Sequence, residues 1–330
     1  MKKVNTVKLL LSLIGSTALL VACGTESSQS GSTSEVESSE SNNEKLQIVT
    51  TFYPMYDFTK NIVQDTADIS LLIPAGTEPH DFEPSAKMVA DIENADVFIY
   101  NSDDMETWVP SVLENIKDSE TVIVNASEGI DFIHNEELEE HDHEENHVED
   151  SEEDHVHAID PHVWLDPVLA QTEVLTIQAG LIEADPDNVD LYEANAETYI
   201  QKLADLDQEF EKAFEGAENR TFVTQHAAFA YLAQQYDLTQ IAISGLSPEL
   251  EPSPAKLAEL SVFAKENNVN YIYFEDNASS KIAETLATEV GVELAVLSPI
   301  EGITQEDQDV GIDYIQLMKN NLESLKKSIN

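Results

Sequence analysis

A single cysteine, Cys23, occurs in the 330 residues. No disulfide can close within the chain, and the second thiol of a C-x-x-C metal or redox motif is lacking. Basic residues are scarce: 16 Lys and Arg stand against 65 Asp and Glu, a formal net charge of −49. A surface this acidic repels phosphates, which excludes ordinary nucleic-acid binding. It also lacks the basic face that adsorbs to anionic lipid. The nucleophile motif G-x-S-x-G is absent, so nothing points to a serine hydrolase. No enzyme is predicted, and no catalytic residue is assigned. No apolar run reaches the about 20 residues of a comfortable membrane-spanning helix. Apolar residues are nevertheless plentiful at 42%, enough for a sizeable core, and the length suits about two domains.

Lys2, Lys3 and Lys8 precede a short apolar run from Leu9 to Val21, broken by Ser12, Gly15, Ser16 and Thr17. A basic start, a short apolar segment and a small residue before a cut site describe a secretory signal. Leu20-Val21-Ala22-Cys23 resembles the bacterial lipobox L-x-[AG]-C. That resemblance implies that residues 1–22 are removed and that Cys23 takes a lipid, palmitate included. The lipid would tether the chain to the extracellular face of the cell membrane, as in a Gram-positive bacterium. The cut removes three lysines and no acid, so the net charge moves from −49 to −52. Residues 23–45, rich in Ser and Glu, read as a solvated tether.

From Leu46 short apolar runs alternate with helical periodicities, the pattern of parallel α/β units. Strands are predicted at Leu46–Thr51, Ile69–Ile73, Val97–Asn101 and Thr121–Asn125, with helices at Tyr53–Gln64, Ser85–Asn94 and Met105–Ile116. The second half repeats the theme. Its strands are Thr221–Thr224, Gln240–Ser244, Tyr271–Phe274 and Leu294–Leu297. Its helices are Ala227–Tyr236, Ala255–Asn267, Ser280–Val290 and Val310–Ser328. Between the halves, Val189, Tyr192, Ala196, Tyr199, Ile200, Leu203, Leu206 and Phe210 recur at spacings of three and four. This predicts one long amphipathic helix of roughly 40 Å. The expected fold is therefore α/β, with two similar lobes of mostly parallel sheet joined by one rigid helix. The lobes are assigned to 46–185 and 217–330 and the helix to 186–216.

No Lys or Arg occurs between Lys117 and Lys202. Inside that gap, residues 134–157 hold six His: His134, His141, His143, His147, His155 and His157. Residues 135–154 hold twelve Asp or Glu. Like charges at this density resist folding, so 134–157 is predicted to be a disordered loop. Imidazole beside carboxylate suits zinc and other borderline divalent ions. Ordering such a segment costs entropy, so binding there is expected to be weak and multiple.

The other three His are His80, His162 and His226. His80 lies just past one predicted strand and His226 directly past another, with Glu301 likewise past a third. In open α/β sheets ligands bind beyond the carboxyl ends of strands. Three imidazoles and a carboxylate fill the four positions of a tetrahedral zinc. A filled shell leaves no place for a reactive water, so such a site carries metal instead of hydrolysing with it.

Four motifs carry a family resemblance: T-x-P-H-x-x-E-P at Thr77–Pro84, D-P-H-x-W-L-D-P at Asp160–Pro167, Q-H-x-A-F at Gln225–Phe229 and S-P-I-E-G at Ser298–Gly302. Over about residues 46–328 the chain resembles the metal-binding lipoproteins of zinc and manganese ABC transporters (cluster A-I solute-binding proteins). It is most similar to the high-affinity zinc uptake type. The resemblance implies that His80, His162, His226 and Glu301 ligate the metal in the cleft between the lobes. Asp276 competes with Glu301 for the fourth place. Manganese members carry Glu at the third position, whereas His226 favours zinc over oxygen-preferring manganese. A membrane permease is the implied partner, Zn2+ the cargo and the monomer the expected state. The continuous helix predicts modest closure on binding. A manganese carrier, a surface adhesin and a metal buffer are the alternatives.

Overall fold

The computed structural model describes residues 45–135, 158–248, 252–267, 269–275 and 279–330. The described residues form one compact unit. Strands β1 (Leu46–Thr50), β2 (Ala67–Leu71), β3 (Val97–Tyr100) and β4 (Val122–Asn125) form a sheet in the order β2-β1-β3-β4, parallel throughout. Helices α1 (Tyr53–Val63), α2 (Ala86–Glu93) and α3 (Val109–Asn115) make the crossovers. Every residue of β3 is buried, as expected of a parallel strand covered on both faces. A two-residue antiparallel pair follows, β5 (His134–Asn135) with β6 (Ala158–Ile159). His134 therefore stands in a strand opposite Ile159, which corrects its assignment to the loop.

Helix α4 (Pro167–Ala184) was not legible in the sequence. Its apolar residues, Val168, Leu169, Val174, Leu175, Ile177, Leu181 and Ile182, lie around the helix and form no single stripe. The helix begins where the Asp166 side chain accepts from the Val168 amide at 2.8 Å, an N-cap followed by proline. It packs on β3, β4 and α5 (Val189–Phe214). Gly180 lies against β4, where an added Cβ would clash with the Val124 side chain. Gly180→Ala is therefore expected to destabilise the fold by about 1–3 kcal/mol through overpacking. Combining it with Val124→Ala should recover part of that loss. Chemical denaturation of both variants checks this, and an unchanged single mutant would refute it.

Helix α5 has 26 residues, about 39 Å at 1.5 Å per residue. Its first half holds the first sheet's elements. Asn195 Nδ2 donates to the Ile62 carbonyl at 2.8 Å, and the Tyr199 hydroxyl donates to Asp57 at 2.9 Å. Its second half holds the elements that follow. Phe210 stacks on Tyr236 at 5.1 Å, the Tyr236 hydroxyl donates to Asp207, and Lys319 pairs with Glu209.

The second sheet contains β7 (Thr221–Thr224), β8 (Thr239–Ala242), β9 (Tyr271–Phe274) and β10 (Glu293–Val296), again parallel, in the order β10-β9-β7-β8. Read from the other edge, this is the topology of the first sheet, so the two lobes repeat one plan. Its helices are α6 (Ala230–Gln235), α7 (Pro254–Glu266), α8 (Lys281–Val290), α9 (Gln305–Val310) and α10 (Tyr314–Leu325). The C-terminal helix expected over Val310–Ser328 is α10, which starts four residues later, at Tyr314, and is preceded by the short α9. Gly311 takes φ +75° after α9, and Asp313 caps α10 by accepting from the Gln316 amide. Among the described residues no helix is long and apolar enough to cross a membrane.

Candidate metal centre

Each motif is held by polar residues of its own. His80 follows β2, whose ladder continues through Leu72 and Ile73 onto the Thr50 and Thr51 carbonyls. The His80 amide donates to Glu78 at 3.1 Å. In Asp160–Pro167, Asp160 Oδ1 accepts from the His162 amide at 3.0 Å and lies 2.7 Å from His162 Nδ1. Asn101, at the end of β3, donates to the Pro161 carbonyl at 3.0 Å. The Trp164 indole donates to the Pro299 carbonyl at 2.8 Å, which ties the His162 motif to the Glu301 motif.

His226 follows β7, and its carbonyl accepts from Thr224 and from Gln240. Glu301 sits in a turn that Asn321 grips from both sides, accepting from the Ser298 amide and donating to the Ser298 carbonyl. Ile300 takes φ +57° in that turn, an uncommon conformation for a β-branched residue that persists where the surroundings over-determine it. Here the strain lies beside the carboxylate that the turn aims.

The four side chains converge. His162 Nε2 lies 3.2 Å from His80 Nε2 and 3.4 Å from His226 Nε2. Glu301 Oε1 lies 3.4 Å from His80 Nε2 and 3.3 Å from each of the other two. All four donor atoms fall within 4.8 Å of one another, and among the described residues this is the one cluster that could share an ion. A tetrahedral centre with donors at about 2.0–2.1 Å has edges of about 3.3–3.4 Å. Five of the six edges are those just given. Neither Glu301 oxygen has a hydrogen-bond partner among the described residues, so the close N···O approaches leave its lone pairs unused. The His80 side chain is 10% exposed and the other three are 0% exposed.

Electrostatics follow from burial and the paired charges. Burial opposes a charge on His226, but Glu275 and Glu301 outweigh it and hold the imidazole well above its ordinary range. Burial likewise opposes a charge on His162, and Asp160 overcomes it. His80 is pushed down by burial. Glu301 would be raised by burial, yet His226 and His162 hold it well below the usual carboxylate range.

The structure thus brings together His80, His162, His226 and Glu301. His134 stands apart from this cluster. Cys23, His141, His143, His147, His155, His157 and Asp276 lie outside the described residues. Sequence reading missed Glu275, whose Oε1 is 2.5 Å from His226 Nδ1. It follows β9 directly, so the strand-end rule that found His226 and Glu301 also pointed there. Tyr231 of α6 was missed as well. Its hydroxyl accepts from the Ile133 amide at 2.8 Å and donates to the Asp160 carbonyl at 2.7 Å, clasping the first lobe's β5–β6 pair. Residues 143–147 spell H-E-E-N-H, the letters of the zinc-hydrolase motif. That motif needs a helix to bring both His to one face, and these residues lie outside those described.

Two parallel lobes on one long helix, with four metal-type donors meeting between them, define a two-lobed solute-binding protein of α/β class. The family model for the periplasmic component A of the zinc-uptake complex, ZnuA, matches residues 48–328, and the chain belongs to the ZnuA family. It is 52% identical over 311 residues to the high-affinity zinc uptake system protein ZnuA of Bacillus subtilis, covering 94% of each chain. It is 46% identical to the zinc-binding lipoprotein AdcA of Streptococcus pneumoniae, over 99% of this chain but only 61% of that protein's length. The crystal structure of the Zn(II)-bound ZnuA-like domain of that AdcA superposes with a TM-score of 0.74 at 45% identity, covering 87% of this chain and 99% of that one. The laminin-binding protein Lmb of Streptococcus agalactiae superposes with a TM-score of 0.76 at 34% identity, covering 87% of this chain and all of that one.

Proposed function

We propose that this chain is an extracellular lipoprotein that captures Zn2+ and delivers it to an ABC permease for high-affinity zinc uptake. The observation that carries the reading is the cluster of four donors spaced as the edges of a zinc tetrahedron. In this reading His80, His162, His226 and Glu301 ligate the ion, which is cargo. With all four positions filled by protein, no position remains for a reactive water, and the chain is not an enzyme. Cys23 carries the lipid that holds the monomer at the membrane, where tethering raises its concentration near the permease. The lobes 46–185 and 217–330 move little about the helix 186–216. The His- and acid-rich segment gathers ions for the cleft. A second reading, attachment to host laminin, is favoured by the likeness to Lmb, described as a bifunctional protein with adhesin and metal-transporting activity.

Growth and zinc uptake under scarce zinc test the proposal in cells lacking the native protein. The intact chain should restore uptake. Deleting 134–157 should slow it while leaving the affinity of the purified protein nearly intact, and Cys23→Ala should release the protein from the membrane fraction. Failure of the intact chain to restore uptake, with laminin binding retained, would sink transport in favour of adhesion.

A further inference from the structure

We propose that Glu275 is a positioning residue that sets metal specificity: its carboxylate on Nδ1 of His226 aims Nε2 at the cleft and strengthens that nitrogen as a donor. The inference rests on the metal-site reading above and deepens it.

Glu275 is 2% exposed and His226 fully buried, so their contact is formed away from water. Glu275 Oε1 lies 2.5 Å from His226 Nδ1. A carboxylate there requires the ring proton on Nδ1 and leaves the Nε2 lone pair for a metal. That Nε2 faces the other donors, 3.4 Å from His162 Nε2 and 3.3 Å from Glu301 Oε1. The second oxygen, Oε2, is buried without a hydrogen-bond partner among the described residues, so His226 is the group that Glu275 serves there. The position is braced as well. Gln225, next to His226 in the chain, accepts from the Glu275 amide at 3.4 Å and donates to the Ser279 carbonyl at 3.1 Å. The residue beside the ligand therefore also anchors the segment that carries its partner.

Asp160 plays on His162 from the first lobe, but its Oδ1 is shared with the His162 amide. Glu275 has no such second task at Oε1. A more strongly donating imidazole gains most with ions that favour nitrogen and least with those that favour oxygen. Glu275 thus widens the preference for zinc over manganese through the His226 imidazole.

The test uses the full chain, purified, with zinc and manganese titrated separately against a competing chelator. Glu275→Gln keeps an acceptor and removes the charge; Glu275→Ala removes both. Zinc affinity is expected to fall about 10-fold in the first and about 100-fold in the second, the span typical of such partners. Manganese affinity should fall by a smaller factor, so the ratio of the two narrows. Long-range proton–nitrogen NMR of the zinc-bound protein should find His226 protonated on Nδ1 in the wild type and a changed Nδ1 signal in Glu275→Gln. Zinc affinity within about twofold of wild type in both variants, or equal losses for both metals, would overturn the inference. Should Glu275→Ala not fold, Glu275→Gln decides. His226→Ala separates the two ideas: if it binds zinc like the wild type, the ligand assignment has failed; if it does not and the Glu275 variants do, only the role of Glu275 has.

Discussion

His226→Ala is expected to lower zinc affinity by more than the ~100-fold typical of losing an outer-shell partner, and Glu301→Ala to do the same. Both side chains are fully buried, so neither place can be refilled by solvent without reshaping the cleft. Removing His226 also leaves the Glu275 carboxylate buried without its partner, an additional cost. His80→Ala should cost less, because His80 is the partly exposed donor and a water can take its position. The ordering is as informative as the size. Titration of the three variants with zinc, and with manganese in competition, checks it. A tight zinc site surviving His226→Ala would overturn the ligand set, and manganese bound more tightly than zinc by the wild type would overturn the cargo.

Raising the pH from 5 to 8 is expected to destabilise the metal-free protein, and Glu173 is a main cause. Glu173, on α4, is fully buried, and among the described residues neither carboxyl oxygen has a hydrogen-bond partner. Burial, with the charges of Glu106 and Asp166 nearby, holds it well above the usual carboxylate range. Burial also raises Glu106 to about 7, against the donors Thr51, Asn101 and Ser102, and raises Asp57 to about 6. In each case the folded protein keeps a proton that the unfolded chain has released. The stability is complete below the ordinary carboxylate range and is lost as the pH rises through the folded values. For Glu106 alone the loss is on the order of 3 kcal/mol. Glu301, held low, works the other way, but its contribution is lost only at acid pH, below this window.

Glu173→Leu replaces an unpartnered carboxyl by an apolar side chain of similar size. It should raise stability by about 1–3 kcal/mol or more, with the larger gain at pH 8. Denaturation curves at both pH values measure this. A variant no more stable than wild type at pH 8, or one with an unchanged dependence on pH, would contradict the assignment.

The strand ends and the cluster of donors beyond them were legible because a parallel α/β unit puts short apolar runs in the chain and polar side chains just after them. His80, His226 and Glu301 all follow that rule. His162 was found through the spelling of its motif. What the sequence concealed was local. Glu275 follows β9 directly, but nothing in the spelling of the chain shows that its carboxylate meets His226. Helix α4 was hidden because it is covered on several sides, by β3, β4 and α5, so its apolar residues form no stripe. At the start of the expected C-terminal helix, Gly311 and the Asp313 cap were readable as a later beginning, at Tyr314.

Helix α5 acts as a ruler for the cleft. Each residue of a helix advances its axis by about 1.5 Å and turns it by about 100°. His80 and His162 belong to the lobe at one end and His226 and Glu301 to the lobe at the other, with donors that must agree to within a few tenths of an ångström. A single insertion between the half that holds α1 and the half that holds Tyr236 would shift one pair of donors by about 1.5 Å and rotate it by about a quarter-turn, which would break up the cluster. The cluster therefore ties the residue count of α5 more tightly than the identity of the residues on its outer face.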